Sequence, residues 1–412
     1  MKVLHLSTSD LDGGAARAAF RLHQGLRCLN VDSQMLVRAK DSGHSAVIAE
    51  KSFRTQMGPR MNGVLVKRYK NRNRGLFSPQ WFPDKLAPRV RALAPDVVTL
   101  HWICNGFLRI ETLNQFTQPV VWLAHDMWPF TGGCHYAQDC DRYTQSCGQC
   151  PQLKSQVKRD LSNKIWQRKA NAWRDVDLTL VAPSHWFASL MAKSSLFQDR
   201  RIEVIPHGLD LEQYYPIEPT TARSVLRLPQ DKQILLFGAS SGVTNDPRKG
   251  FQFLQAALQE LGRLGWSDRL EVVIFGIKEP DNPPELGLPT RYLGRFRDEL
   301  SLVLTYSAAD VMVVPSMQES FGQTASEALA CATPVVAFNA TGLKDIVDHQ
   351  QTGYLANPYE VEDLLNGILW VLENPERQRQ LSHQSREHAE KSLSLALQAT
   401  RYEKLYEELI KH

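Results

Sequence analysis

Residues 315–336 read PSMQESFGQTASEALACATPVV, and the way this stretch folds decides the architecture. The residues just before it, DVMVVPS, form a near-continuous apolar, β-branched run. That pattern predicts a strand covered on both faces, as in a parallel sheet. Gly322 to Cys331 reads as a short helix of small residues, closed off before Pro334. A buried strand that runs through a glycine into a helix is one parallel α/β unit. The same stretch carries two carboxylates eight positions apart, Glu319 before the helix and Glu327 inside it. At a rise of ~1.5 Å per residue, Glu327 stands about 7 Å along the helix from Gly322. The Phe321–Gly322 amides fall between the two carboxylates, at the positive end of the helix dipole. Carboxylates accept hydrogen bonds from vicinal hydroxyls, so two polyol groups flanking a diphosphate suit this spacing. Ribose, diphosphate and hexose in a nucleotide sugar have that layout.

Outward from this stretch the pattern repeats. Strand-like runs fall at KVLHLS, SQMLVRA, DVVTLHWI, PVVWLAH, LTLVAPS and EVIPHG in the first half, and at QILLFGA, LEVVIFG, RYLGRF, DVMVVPS, TPVVAF and GYLAN in the second. Amphipathic helical runs follow most of them. The series divides at the Pro-rich PHGLDLEQYYPIEPT. The predicted fold is therefore α/β, with two doubly wound Rossmann-like domains facing a cleft, covering residues 1–206 and 207–388. A final helical segment, 389–412, has no strand after it and is expected to pack back toward the first domain. Ligands of such sheets bind outside the carboxyl ends of the strands.

The chain has 412 residues, 43% of them hydrophobic and 22% charged, with a net charge of +4. That is ordinary for a soluble globular protein and too weakly basic to argue for nucleic acid. No apolar run reaches the ~18 residues of a membrane span. The N-terminus turns polar after six residues and reads as a first strand rather than a signal peptide, so the cytoplasm is the expected compartment. Charge is uneven, however. Residues 51–74 hold eight Lys/Arg and no acidic residue, which suits either a solvated basic surface or one that meets anionic lipid at the inner membrane face.

Several other residues could carry chemistry. Gly13-Gly14 follows the first strand and opens a helix, where bare backbone amides can meet a phosphate. His125 ends the buried run VVWLAH, at the strand edge where ligands bind. Arg248 and Lys249 precede Gly250 after the first strand of the second domain and suit a diphosphate, Arg as a bidentate fork and Lys as a point charge. Four of seven cysteines, Cys134, Cys140, Cys147 and Cys150, fall close together, the last two as C-x2-C. In a reducing compartment such a cluster suggests a structural zinc, with His135 as a substitute ligand and an iron–sulfur cluster as the lesser alternative. Cys28, Cys104 and Cys331 read as ordinary buried residues.

Together these features resemble the retaining glycosyltransferases of family 4, which have the GT-B fold. The Glu-x7-Glu pair in ESFGQTASE carries most of the resemblance, and VIPHGLD, YLGRF, PVVAFNATGLKDIV and TGYLANP are similar to further family landmarks. HDMWPFTGGCHY…CGQCPQL is most similar to exopolysaccharide enzymes of the colanic-acid fucosyltransferase type. The resemblance implies a nucleotide-diphosphate sugar donor, a glycan or lipid-linked acceptor and no catalytic metal. It implies that Glu319 holds donor-sugar hydroxyls and Glu327 the ribose. The Phe321, Gly322, Gln323 and Thr324 backbone would lie along sugar and diphosphate. Arg248 and Lys249 would neutralise the leaving diphosphate, His125 would contact the donor sugar, and Gly13 and Gly14 would sit near phosphates or acceptor. One departure stands out: the family often places its Arg several residues before the Lys, where this chain has Ala239 or Ser240. Two alternatives share the architecture, a nucleotide-sugar epimerase and a non-catalytic nucleotide- or glycan-binding protein.

Overall fold

The computed structural model describes residues 1–238, 246–296 and 298–411. Ala239 and Ser240, the positions in place of the family's usual arginine, lie outside the described residues. The chain divides into two compact units, Met1–Gly208 with Gln398–His412, and Leu209–Leu397.

The first unit is built on a seven-stranded sheet of β1 (Lys2–Ser9), β2 (Asp32–Ala39), β3 (Val47–Ala49), β4 (Val97–Leu100), β5 (Val120–Leu123), β6 (Leu178–Ala182) and β7 (Ile202–Val204), in the order β3-β2-β1-β4-β5-β6-β7. Every pairing is parallel. The central strands β4, β5 and β6 are buried at every position, as apolar runs covered by helices on both faces must be. Only β3 escaped the sequence pattern; three residues are too few to show periodicity.

The second unit has six parallel strands, β8 (Gln233–Gly238), β9 (Leu270–Phe275), β10 (Thr290–Gly294), β11 (Val311–Val314), β12 (Val335–Phe338) and β13 (Gly353–Ala356), in the order β10-β9-β8-β11-β12-β13. In both sheets the order reverses beside the first strand of the unit, which opens a crevice at the strands' carboxyl ends.

The last helix, Leu395–Ile410, covers the sheet of the first unit. Tyr402, Leu405 and Tyr406 join Val3, Val97, Val121 and Val181 in one apolar cluster. Within it the Tyr406 hydroxyl and Thr99 Oγ1, from the middle of β4, hydrogen-bond at 2.8 Å. Both groups are fully buried, so losing either partner leaves the other unsatisfied. Tyr406→Phe should therefore cost about 1–3 kcal/mol, read as a lower urea midpoint; an unchanged midpoint would show that this bond does not tie the helix to the sheet.

Candidate active site

The Glu-x7-Glu stretch folds as expected in outline, and its details come from close backbone approaches. The helix runs Gln323–Ala330, with Gly322 at its N-cap in left-handed conformation (φ 114°) and Cys331 at its C-cap. A Cβ on residue 322 would also lie 2.6 Å from Leu343 Cδ2. Conformation and packing both demand glycine there. Its N-cap, Gly322, has no side chain to offer a cap, unlike the helix Leu161–Ala172, where Asp160 accepts from Ser162 and Asn163.

Glu319 is fixed by its own backbone. Its carbonyl accepts from Gly342 N at 3.0 Å, and its amide donates to Thr341 Oγ1 at 3.3 Å. Its carboxylate takes the ammonium of Lys249 at 2.5 Å. That contact depends on the neighbouring turn. Residues Pro247–Lys249 form one 3-10 turn, closed by Gly250 at φ 67°. Arg248 O accepts from Met317 N at 2.6 Å, and a Cβ on Gly250 would lie 1.8 Å from the Pro315 carbonyl oxygen. The Arg-Lys-Gly turn is thus pressed against the segment leading from β11 to Glu319.

Sequence reasoning assigned both cations to a diphosphate. Here each has a carboxylate partner, Lys249 with Glu319 and Arg248 with Asp246 Oδ2 at 2.5 Å. The residue that sequence analysis missed is Asp246, which also caps the turn by accepting from Arg248 N. Asp-x-x-x-Gly ahead of an amphipathic run was the available signal.

Glu327 is buried rather than solvated, 5% exposed. Tyr306 OH donates to its Oε2 at 2.8 Å. Tyr306, from the helix Glu299–Ser307, is fully buried and was not foreseen; nothing local distinguishes it from a core tyrosine.

In the first unit, Gly13 is the N-cap of the helix Gly14–Cys28, at φ 90°, with open space where a Cβ would go. Glycine there serves the backbone conformation, not a tight contact within this chain.

His125 lies just beyond the carboxyl end of β5, where it was expected, and is half-buried. It is one of a row of histidines. His5 sits on β1, and its Nδ1 meets His101 Nε2 at 2.9 Å; His101 Nδ1 meets His125 Nε2 at 3.3 Å. The rings of His5 and His101, His101 and His125, and His125 and His207 stack at centroid separations of 5.2, 5.5 and 5.3 Å. The sheet dictates this. β1, β4 and β5 are neighbours, His5 pairs with Thr99 and Leu100 with Trp122, so each step outward climbs two residues and stays on one face. The four histidines, His5 within β1 and His101, His125 and His207 beyond the ends of β4, β5 and β7, were visible in the sequence, but only the register aligns the first three.

Burial holds these imidazoles neutral. It depresses His5, His101 and His207 well below the usual range and takes His125 to about 4 and His23, behind His5, to about 3; neighbouring imidazoles add to the effect on His5, His101, His23 and His207. Asp126 next door opposes it at His125. Burial alone would raise the Asp126 carboxyl. The His135 imidazole at 2.6 Å, together with N–H donors from Trp128 and Trp102, outweighs burial and lowers it. His135 completes the group by pairing its Nε2 with Ser78 Oγ at 2.9 Å. Both nitrogens of His135 are thereby engaged, which removes it as a substitute metal ligand.

The four clustered cysteines line one small cavity with Thr131, Gly132, Ala137, Arg142, Tyr143, Gly148 and Ser162. All are free thiols, and burial pushes Cys147 up to about 12. Among the described residues, no three His, Cys, Asp or Glu side chains stand as a ready-made metal-holding group. Cys104 and Cys331 are buried as expected, but Cys28, the last residue of its helix, is exposed. In the basic stretch, the helix Phe53–Asn62 carries exposed Arg54 and Arg60 and the turn Val66–Arg68 exposed Lys67 and Arg68, with exposed Lys51 before them and Lys70 and Arg74 after. Phe53 stands 75% exposed among them. Among the described residues no helix is long and apolar enough to cross a membrane.

Two parallel Rossmann-like sheets, each with candidate site residues beyond the carboxyl ends of its strands, define the GT-B glycosyltransferase fold. Sucrose-phosphate synthase from Thermosynechococcus elongatus superposes on the chain with a TM-score of 0.73, covering 100% of both chains at 20% identity. Family models match both units, Glycosyltransferase Family 4 over residues 12–213 and Glycosyl transferases group 1 over residues 244–388. The chain belongs to the family 4 glycosyltransferases. It is 31% identical to a D-inositol 3-phosphate glycosyltransferase of Saccharomonospora viridis over 66% of its own length. That match spans 63% of the relative, under two thirds of its length. It is 23% identical to a putative colanic acid biosynthesis glycosyl transferase of Escherichia coli (strain K12), over 84% of this chain and 85% of the relative.

Two tests address this geometry. Gly250→Ala should destabilise by at least about 2 kcal/mol, through the clash with Pro315 added to backbone strain. Gly294→Ala, at φ 75° with open space around it, carries the strain alone and should cost less; equal losses in urea unfolding would dismiss the close approach. The second test is acid. The unfolded chain takes up protons near pH 6.5, which the folded imidazoles refuse until far lower pH. Stability is then complete above about pH 7 and falls as pH drops toward 4, by ~1.4 kcal/mol per pH unit for each such histidine. Seven of the nine tryptophans lie in the first unit, so the thermal midpoint by tryptophan fluorescence should drop steeply from pH 7 to 5. A flat profile would mean that these rings protonate freely in the folded state.

Proposed function

We propose that this chain is an enzyme, a retaining glycosyltransferase that moves a sugar from a nucleotide-diphosphate sugar to a glycan or lipid-linked acceptor in polysaccharide biosynthesis. The observation that carries this reading is the Lys249–Glu319 ion pair beside a helix start opened by Gly322, with Glu327 buried on the same helix. Such a helix start favours anionic oxygens. Lys249, paired with Glu319, offers its ammonium to a diphosphate once Glu319 turns to sugar hydroxyls. Tyr306 orients the buried Glu327 carboxylate, which takes the ribose in this reading.

In the reaction, the bond from the anomeric carbon to the diphosphate oxygen breaks with oxocarbenium character. The acceptor oxygen bonds to the same face, and its proton passes to the leaving phosphate. Lys249, Arg248 and the Phe321–Thr324 backbone stabilise the developing diphosphate charge, the largest service assigned to named groups. His125 contacts the donor sugar, and no catalytic metal takes part. A structural zinc at the four-cysteine cavity belongs to the same proposal; it rests on four thiols lining one cavity, would require them to draw together, and predicts about one zinc per chain by metal analysis. The basic, Phe53-bearing surface would hold the enzyme at an anionic bilayer, and sedimentation with anionic vesicles tests that.

The deciding experiment is a thermal-shift screen against UDP, GDP, ADP, TDP and their common sugars, without divalent metal. Binding at 100 times Kd contributes about 2.7 kcal/mol. One nucleotide should raise the midpoint clearly, and Glu327→Ala and Lys249→Ala should reduce that shift by tenfold or more in affinity. No shift with any compound would argue against a nucleotide-sugar enzyme. A shift without sugar transfer would favour a binding protein on the same scaffold.

A further inference from the structure

The helix that carries Glu327 ends far from the ion pair, and that end is tied down by one distant side chain. A helix leaves its last carbonyls without partners inside it. Here Glu327 O and Ala328 O take the Cys331 amide, Leu329 O takes the Ala332 amide, and Thr333 N adds a bond to Ala328 O. The remaining carbonyl, Ala330 O, accepts from Arg386 Nη1 at 2.8 Å.

Arg386 stands on the helix Pro375–Ser392, and its guanidinium reaches three carbonyls. Nη1 also donates to Tyr214 O at 2.6 Å, and Nη2 to Leu211 O at 3.2 Å. Nε meets Glu390 Oε1 at 2.7 Å, one helical turn on. Leu211 and Tyr214 lie just inside the start of the second unit at Leu209. The planar fork of arginine has donors for all four contacts; an ammonium has three and no fixed plane. Its charge also sits at the negative end of the helix dipole.

Residues 211–214 reach Glu327 by a second route as well. Tyr214 OH donates to Glu299, the first residue of the helix Glu299–Ser307, and Tyr306, about two turns along that helix, donates to Glu327. Tyr306 O accepts from Thr333 Oγ1 at 2.7 Å, just past the end of the Glu327 helix. Between the two routes Tyr214 packs with Ala325, Ala328, Leu329 and Ala389 in one apolar cluster. A helix of eight residues is marginal by itself, so such ties set where it presents its side chains.

We propose that Arg386 is a positioning residue for nucleotide binding. It fastens the C-terminal end of the Glu327 helix to residues 211–214 and so holds Glu327 where it meets the ribose; it acts through that carboxylate and not by contact with the ligand. The ligand rests on the function proposed above; the anchor does not.

Two measurements on the full chain separate them. Hydrogen exchange read by mass spectrometry addresses the anchor. In Arg386→Gln the amides of residues 326–333 should exchange at least tenfold faster than in wild type, while those of β12 keep their protection. Arg386→Lys, which can still reach Ala330 O, should fall between. Unchanged exchange in Arg386→Gln would overturn the proposal. The second measurement is a double-mutant cycle. The Kd of whichever of UDP, GDP, ADP and TDP binds wild type most tightly is measured by calorimetry for wild type, Arg386→Gln, Glu327→Gln and the double variant. Arg386→Gln should raise Kd five- to twentyfold with Glu327 present and less than twofold in the Glu327→Gln background. Equal factors in both backgrounds would reject the positioning role, since a general loosening of the unit weakens binding whether or not the carboxylate is there. If no nucleotide binds the wild type, the nucleotide-sugar reading fails and takes the ribose role with it, while exchange still decides the anchor.

Discussion

At Gly250 the chain passes so close to the Pro315 carbonyl oxygen that a side-chain carbon would have to sit 1.8 Å from it. The pairing of Lys249 with Glu319 follows from that contact. It presses the Arg248–Lys249 turn onto the segment leaving β11, where the Arg248 carbonyl takes the Met317 amide. Two residues further on, Glu319 meets the Lys249 ammonium. Parallel neighbouring strands place loops from distant parts of the sequence side by side, and glycine is the residue that lets two such backbones approach this closely. The ion pair is therefore a product of the sheet order, since β8 and β11 are adjacent although residues 249 and 319 are seventy positions apart.

The same sheet logic operates in the first unit with a different chemistry. β1, β4 and β5 set three histidines in a rising diagonal on one face, and burial keeps them neutral. A neutral ring in a low-dielectric environment is a directional donor and acceptor, not a charge, and its neighbours decide which nitrogen carries the proton. The Asp126–His135–Ser78 group pins the segment immediately after His125.

Charge balance connects the two descriptions. In the second unit two cations each sit on a carboxylate, Arg248 on Asp246 and Lys249 on Glu319. Partly exposed pairs of this kind contribute little to stability, so they leave their groups available to a stronger ligand. Glu327 differs: it is buried, with Tyr306 on one oxygen, and a buried carboxylate so held cannot move far without cost. The arrangement has one fixed carboxylate and one exchangeable one, on either side of a helix start opened by Gly322.

Local sequence determined the elements. Apolar β-branched runs gave the strands except β3, the glycine before Gln323 marked the helix start, and Glu319 and Glu327 were visible from spacing alone. His125 was placed at a strand end because strand period and sheet class fix where such residues fall. What sequence could not supply was the partners: Tyr306 for Glu327, Glu319 for Lys249, His5 and His101 for His125. Each partner comes from a different strand, a different helix or the loop beyond another strand, and only register and strand order bring them within hydrogen-bonding reach. Cys28, read as buried and found exposed at a helix end, failed for the same reason, because burial belongs to the packed structure and not to the residue type.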